Sequence, residues 1–522
     1  MSEEASGLKS DRKKVFKNAA LVASGTMTSR ILGLFRDMAL AALFDRTLTD
    51  AWTAAFRIPN LFRRLLGEGS LSVSFIPVFM EAEAADLTGT RSRNLINSFY
   101  SLLLVTLATI TLAGILGAEG ILRMLLDSSF LAVPGKLELT VRLAKIMFGF
   151  VFFVSTYAYF MGILNALGSF ALPALAPTLF NVSMLIFTFL PGSWFAQAGD
   201  GLAWGVLLGG FLQALVLFIA LNMRGYLPSL SMKLWSHDVR AVVIGMIPGL
   251  LGLGLAQFTT LVNLHFASRL MEGSVSYIYW ADRLLELPLS LVAVSLGSAL
   301  LPKLAELSLS GRSRIFQETL WDGFFFAVFL ILPASVGLFM LAGPIVEVLF
   351  YRGAFNQTDL TNTTLVLQVY SLSMVFVAAG RVISSAFYAQ RKNLLPGVSA
   401  VFSLLVHILL APIMMRQFEL GGLVLSSLVS HLLHFGILSA SMSLQIEPDL
   451  YIALAKRLAK MIFVTSLMGL FLWGWSLLRG EMPLFLFVAV GIAVAGGIYL
   501  GISQLLRVKE LTGVIGTFSK KS

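Results

Sequence analysis

Cysteine is absent from this 522-residue sequence, which excludes disulfides, thiol catalysis and thiolate metal sites. Charge is scarce: Asp, Glu, Lys and Arg make up 13% of the chain, against roughly one quarter in soluble proteins. Histidine occurs five times. His431 and His434 stand three apart, His265 and His407 stand alone, and no carboxylates accompany them at ligand spacing, so they read as core or cavity-lining residues and no metal site is expected. There is no G-x-x-x-x-G-K-[ST] and no G-x-S-x-G, which removes P-loop hydrolysis and the common serine-hydrolase elbow. The N-terminal MSEEASGLKSDRKKVFKN is polar and charged, with no A-x-A site after a clean apolar core, so no cleavable signal is expected. No cofactor is implied.

What is present is apolar. Hydrophobic residues make up 57% of the chain and mean hydropathy is +0.85. Counting apolar segments of about 20 residues predicts fourteen spans. They cover 17–44, 51–80, 95–126, 137–166, 171–190, 201–222, 241–268, 274–301, 316–350, 360–389, 394–415, 420–444, 453–478 and 483–506. The expected class is an all-α polytopic membrane protein. Of the 38 basic residues, 22 fall in connections on one side, among them Lys9, Arg91, Arg224, Lys303, Arg391, Lys456 and Lys509. Only six, Arg46, Lys136, Arg269, Arg352, Arg416 and Arg479, fall on the other. By the positive-inside rule both termini are expected in the cytoplasm. This bias also accounts for the net charge of +10 without nucleic acid.

The chain repeats internally. SLSVSFIP (70–77) pairs with SLGSALLP (295–302), and NALGSFALP (165–173) with YAQRKNLLP (388–396); the proline offsets are 225 and 223. Six spans, an even number, separate the copies. The expected arrangement is two six-helix lobes related by a pseudo-two-fold axis along the membrane normal. It divides the chain into a cytoplasmic tail (1–16), an N-lobe (17–222), a C-lobe (223–444) and two extra helices with a C-terminal tail (445–522).

The remaining anomaly lies in 29–77, where Arg30, Arg36, Arg57, Arg63 and Arg64 sit among apolar residues. An arginine at the centre of a membrane helix costs roughly 2.5–3.5 kcal/mol on insertion scales. Arg30 and Asp37 are seven apart and share a helix face, while Arg36 lies about 120° round from Arg30. Pro59 and Gly67-Glu68-Gly69 are expected helix breaks. In the second half, Arg283 occupies the corresponding span before Leu287-Pro288. The functional reading gives Arg30, Arg36, Arg63 and Arg283 a di-anionic ligand, because the planar guanidinium donates bidentate hydrogen bonds and stays charged. The structural alternative pairs these arginines with Asp37, Asp50, Glu68 and Glu286 or lets them snorkel.

The stretches SRILGLFRD, TDAW, FRIPNLFRRLLGEGSLSVSFIPVF, MGILNALGSFALPALAPTLFN and ADRLLELPLSLVAVSLGSALLP resemble the MurJ/MviN family. These are lipid II flippases within the multidrug/oligosaccharidyl-lipid/polysaccharide exporter superfamily. The resemblance covers essentially the whole chain. It implies fourteen helices, alternating access and a bacterial inner-membrane location, with lipid II and membrane lipids as partners, together with proteins of cell-wall synthesis and division. The family's cavity arginines fall on Arg30, Arg36, Arg63 and Arg283. Asp37, Asp50, Asn60, Glu68 and Asn165 stand at supporting or gating positions. The extra helices imply a groove for a polyprenyl tail. Some relatives bind sodium in the second lobe through acidic residues, where the seventh span (241–268) of this chain offers Asn263 and no Asp; sodium, proton or membrane-potential coupling stays open. A monomeric transporter, not an enzyme, is expected. The competing readings are a flippase for another polyprenyl-pyrophosphate glycan, a cation or drug antiporter of the superfamily, a membrane enzyme on lipid-linked sugars, and a division scaffold.

Overall fold

In a bilayer every backbone N–H and C=O must be satisfied within the chain, and a helix does so within one segment. The computed structural model describes residues 24–66, 71–86, 88–444, 446, 448–480 and 482–512, and no strand occurs among them. The helices are α1 (24–43), α2 (Arg46–Leu65), α3 (Leu71–Ala85), α4 (Thr90–Leu125), α5 (Ser128–Leu131), α6 (Lys136–Ala166), α7 (Ala171–Phe189) and α8 (Asp200–Met223). They continue with α9 (His237–Ala267), α10 (Ser274–Leu309), α11 (Ser313–Met340), α12 (Ala342–Phe350), α13 (Gln357–Ala389), α14 (Leu394–Ser443), α15 (Pro448–Leu477) and α16 (Leu484–Leu505). Among the described residues nine helices are long and apolar enough to cross a membrane. The chain is an all-helical, multi-pass membrane protein, and its helices are compatible with the fourteen spans.

Three expectations change in detail. The second span is two helices, α2 and α3, and α2 runs straight through Pro59 instead of breaking there. A proline removes only one ladder bond, and the buried packing of residues 48–56 ahead of it holds the helix together. The ninth span divides at Leu341 into α11 and α12. The eleventh and twelfth are one helical run, α14, folded at Glu419 (φ 47°, ψ −122°). Glu68 and the N-terminal tail lie outside the described residues.

Local chemistry fixes the helix starts. Asp45 caps α2 by accepting from the Leu48 N–H at 2.8 Å, and Ser236 caps α9 through the Val239 N–H at 3.2 Å. Asn356 and Asp359 form a reciprocal capping box on α13. The second repeat pair makes the same turn twice. After α6, Gly168 (φ 74°) and Ser169 donate to the Asn165 and Leu164 carbonyls; after α13, Arg391 (φ 59°) and Lys392 donate to Tyr388 and Phe387. Gly168 and Arg391 each stand five residues before the repeat's proline. The same left-handed helix end therefore occurs at equivalent positions, once with the residue that favours it and once without.

The described residues form two compact units, 1–275 and 276–522. In the first, α6 is central, packed on α2, α3, α4 and α8, while α7 lies along α8 and α9 against α3. Aromatic rings fill this core. Trp52 stacks on Phe56, which meets Phe150 and Phe180, and Phe75, Phe79, Phe99 and Tyr159 form a second group. In the second unit α13 packs on α11 and α14, and α15 packs on α11 and α16.

At the α14 fold, a Cβ on Gly422 would lie 2.2 Å from the Met414 carbonyl oxygen, whereas one on Gly436 would meet nothing within 4 Å. Gly422→Ala is expected to destabilise the detergent-solubilised protein by about 1–3 kcal/mol. Gly436→Ala should leave its thermal unfolding midpoint unchanged or slightly raised.

Candidate functional site

The arginines picked from the sequence do not share one environment. Arg36 on α1 is 2% exposed, and Asp37 beside it is 0%. The Arg36 Nε and Nη2 both donate to Asp37 Oδ1, at 2.8 and 2.6 Å. Its Nη1 donates to Asn181 Oδ1 at 3.0 Å, and its guanidinium carbon lies 5.7 Å from the Phe180 ring centre. Asn181 in turn donates from Nδ2 to the Ser29 carbonyl (2.8 Å) and Ser29 Oγ (3.1 Å). One amide on α7 thus holds both a backbone group of α1 and the arginine that α1 buries. Sequence reasoning missed Asn181 as a partner. Its signal was an amide inside the apolar run ALAPTLFNVSMLIF, which needs a buried hydrogen-bond partner.

Arg30 and Arg63 are only half-buried. Arg63 Nε donates to Asn60 Oδ1 at 2.8 Å, which joins two of the selected residues one turn apart on α2. Arg283, in the second unit, donates to Glu286 Oε2 at 2.9 Å, keeps 29% of its side-chain surface and lies 5.8 Å from the Tyr279 ring centre. Asn165 is half-buried near the end of α6, where its carbonyl accepts from the Gly168 N–H.

Asp50 has a partner other than the arginines considered for it. Lys136, the first residue of α6, reaches Asp50 Oδ2 at 3.0 Å, and both side chains are 2% exposed. The same oxygen accepts from the Gly273 N–H at 2.8 Å. Glu272 lies 3.5 Å from the ammonium and accepts from Thr47 Oγ1, and Lys136 also sits 4.4 Å from the Phe130 ring centre. A small cavity of about 30 Å³ opens beside this group, lined by Ser129, Val133 and Met271 among others. Four segments, the starts of α2 and α6, α5 and the 268–273 turn, are fastened at this one charge. Nearby, Arg269 donates to Asp127 Oδ2 at 2.7 Å. Burial raises the Asp127 carboxyl, yet the Arg269 guanidinium and the Ser129 N–H hold it at about 2.

His407, His431 and His434 lie on α14 in the second unit, while His237 and His265 stand at the two ends of α9 in the first. His407 is fully buried with Nδ1 3.1 Å from Ser426 Oγ, and His434 Nδ1 lies 2.9 Å from Ser399 Oγ. No cluster of three or more metal-ligating side chains occurs among the described residues. The arrangement offers guanidinium groups and amides, which suit binding an anion.

Comparison with known proteins decides the family. A family model described as "Lipid II flippase MurJ" matches residues 39–490. The chain belongs to the lipid II flippase MurJ family. A Bdellovibrio bacteriovorus protein named "Probable lipid II flippase MurJ" is 54% identical over 520 residues, covering 98% of this chain and 99% of its own. The Burkholderia cenocepacia protein named "Lipid II flippase MurJ" is 32% identical over 75% of this chain and 77% of its own. Among solved structures, a MurJ flippase in an inward closed conformation aligns with TM-score 0.77 at 24% identity, covering 93% of this chain and 98% of that one. An inward-facing multidrug resistance MATE family transporter of the MOP superfamily aligns with TM-score 0.65 at 15% identity, covering 82% and 98%. These structural likenesses establish the fold. The family is one of transporters, not enzymes.

Removing one partner of a buried ion pair strands the other. Lys136→Met is therefore expected to destabilise the protein by about 3–5 kcal/mol in thermal unfolding, with much of the loss recovered by adding Asp50→Asn. Lys303→Met, which breaks an exposed pair with Glu306, should leave the midpoint unchanged.

Proposed function

We propose that this protein moves lipid II from the cytoplasmic to the periplasmic leaflet of the bacterial inner membrane by alternating access. The observation that carries the proposal is the end-to-end match, at 54% identity, to a protein named as a probable lipid II flippase. In this reading both termini are cytoplasmic, as the 22-to-6 distribution of basic residues suggests. The pyrophosphate is the group that needs help, because it carries the charge that is costly to desolvate. Arg30, Arg63 and Arg283 replace its water. All three retain accessible surface, and guanidinium forks match phosphate oxygens.

Arg36 is a different case. Its donors are committed to Asp37 and Asn181, so it serves the substrate only in a state where that group has rearranged. Asp37, Asn60 and Asn165 support the arginines, and Asp50 with Lys136 acts as a gate. Glu68 belongs to the same reading by its position in the motif. The division into an N-lobe (17–222), a C-lobe (223–444) and an added pair of helices is retained, with the pair receiving the polyprenyl tail. Membrane potential suffices to bias an anion outward or to reset the emptied cationic site. The protein acts as a monomer beside enzymes of wall synthesis.

The test is depletion in cells, with the outer-leaflet accessibility of lipid II measured after complementation. Arg30→Ala, Arg63→Ala and Arg283→Ala, each stably expressed, should lower outward lipid II by roughly tenfold or more, since a hydrogen bond to a charged group contributes about 1.5–3 kcal/mol. Normal outward lipid II in all three would overturn the arginine assignment. Normal lipid II after depletion of the protein itself would overturn the flippase reading.

A further inference from the structure

Away from the arginines of α1, α2 and α10, the first unit has a second concentration of charge. α4 and α6 diverge to leave a cleft of about 280 Å³, lined by Glu119 and Arg123 from α4 and by Leu137, Glu138, Val141, Arg142 and Lys145 from α6. Its volume is close to the lower end of ligand clefts, about 300 Å³. Its position along the helices is specific. The apolar run 102–118 of α4 ends immediately before Glu119, and the apolar run of α6 starts immediately after Lys145. The cleft therefore lies where both helices leave the hydrocarbon layer, at headgroup depth.

The charges within it are ordered. Glu138 and Lys145 are seven residues apart, so they share one face of α6 about 10 Å apart along the axis. Lys145 is nearest the hydrocarbon and Glu138 farthest from it, with Arg142 between. Both Glu138 and Lys145 are exposed, and neither makes an ion pair or side-chain hydrogen bond among the described residues. The neighbours are already engaged: Arg123 donates to Glu119 at 2.9 Å, and Arg142 to Asp200 Oδ1 at 2.7 Å. A cation and a carboxylate thus stay available at the two ends of one cleft, while fixed guanidinium groups flank the middle.

A second observation concerns what lies beneath. On α4, Val105, Leu112 and Leu116 are 55, 58 and 76% exposed. They precede Glu119 by 14, 7 and 3 residues, so they continue its face toward the hydrocarbon. An apolar track runs directly into the charged cleft. A ligand that fits both parts is an amphiphile with its phosphate near the hydrocarbon and a positive group farther out.

We propose that this cleft is a binding site for a zwitterionic phospholipid bearing a primary amine, the phosphoethanolamine class. Lys145 takes the phosphodiester beside the fixed Arg142 guanidinium, Glu138 accepts from the terminal ammonium, and an acyl chain lies along Val105, Leu112 and Leu116. A free carboxylate at the outer end disfavours a purely anionic headgroup. It also prefers an –NH₃⁺, which donates hydrogen bonds, over a quaternary ammonium, which cannot.

The test is native mass spectrometry of the full-length detergent-solubilised protein. It is equilibrated separately with phosphatidylethanolamine, phosphatidylglycerol and phosphatidylcholine of identical acyl chains. The wild type is expected to retain phosphatidylethanolamine about tenfold better than the other two, the size of one charge-assisted hydrogen bond. Glu138→Gln should equalise phosphatidylethanolamine and phosphatidylcholine. Lys145→Ala should lower retention of phosphatidylethanolamine while leaving elution volume and thermal midpoint unchanged, and Leu116→Asp should do the same through the acyl track. Equal retention of the three lipids by the wild type, preference for phosphatidylglycerol, or a preference that survives both Glu138→Gln and Lys145→Ala would each overturn the proposal. The lipid II assay is independent of these outcomes.

Discussion

A charge can enter a low-dielectric helix bundle only if it brings its counter-charge and enough hydrogen bonds to satisfy both. Arg36 meets that requirement with its own sequence neighbour. Asp37 takes two of its donors, and Asn181 takes a third while it also grips Ser29. The pairing sets the packing, because Asn181 lies on α7 and can reach both groups only if α1 lies against α7 at one depth. Lys136 and Asp50 apply the same rule at a helix end. The Gly273 N–H and Glu272 complete the coordination and fix where the 268–273 turn sits. In each case the apolar surroundings supply the bulk of the burial, and the ion pair decides which segments meet.

The arginines therefore divide into two classes with different physics. Arg36 is embedded and committed, so its removal disturbs the meeting of α1 with α7 whatever else it does. Arg30, Arg63 and Arg283 keep surface, and Arg63 donates to Asn60 and Arg283 to Glu286, each within one turn on its own helix. A partner one turn away restrains a side chain without tying two helices together. Sequence alone ranks all four equally, since each is an arginine in an apolar run; burial separates them.

How much was legible follows from the range of the interactions. Apolar length marks the spans, and the proline offsets of 225 and 223 mark a repeat whose local backbone recurs as the left-handed turns at Gly168 and Arg391. Those signals are written in contiguous residues. The partners were not legible: Asn181 is 145 residues from Arg36, and Lys136 is 86 from Asp50. Nothing local distinguishes an asparagine that will find an arginine from one that will not. Pro59 misled for a related reason. A proline signals a break only when the surrounding contacts do not hold the helix, and residues 48–56 ahead of it in α2 are buried throughout.

The two helices outside the repeat show the same constraint used in reverse. At one end of α15, Arg457 bonds Glu510 and Asp322, and Lys509 reaches Asp322 at 2.8 Å; at the other end Arg479 meets Glu347 at 2.8 Å. Between these ends the helices rely on apolar contact and on neutral bonds such as Tyr499 to the Phe329 carbonyl and Trp475 to the Phe487 carbonyl. Ion pairs at the ends of membrane helices incur little desolvation, because water and headgroups are close at hand. In the middle the same pairs would cost several kcal/mol per ion. Charge at the rims and dispersion in the centre together attach α15 and α16 to α11 and α12. That division of labour follows from where the charges stand.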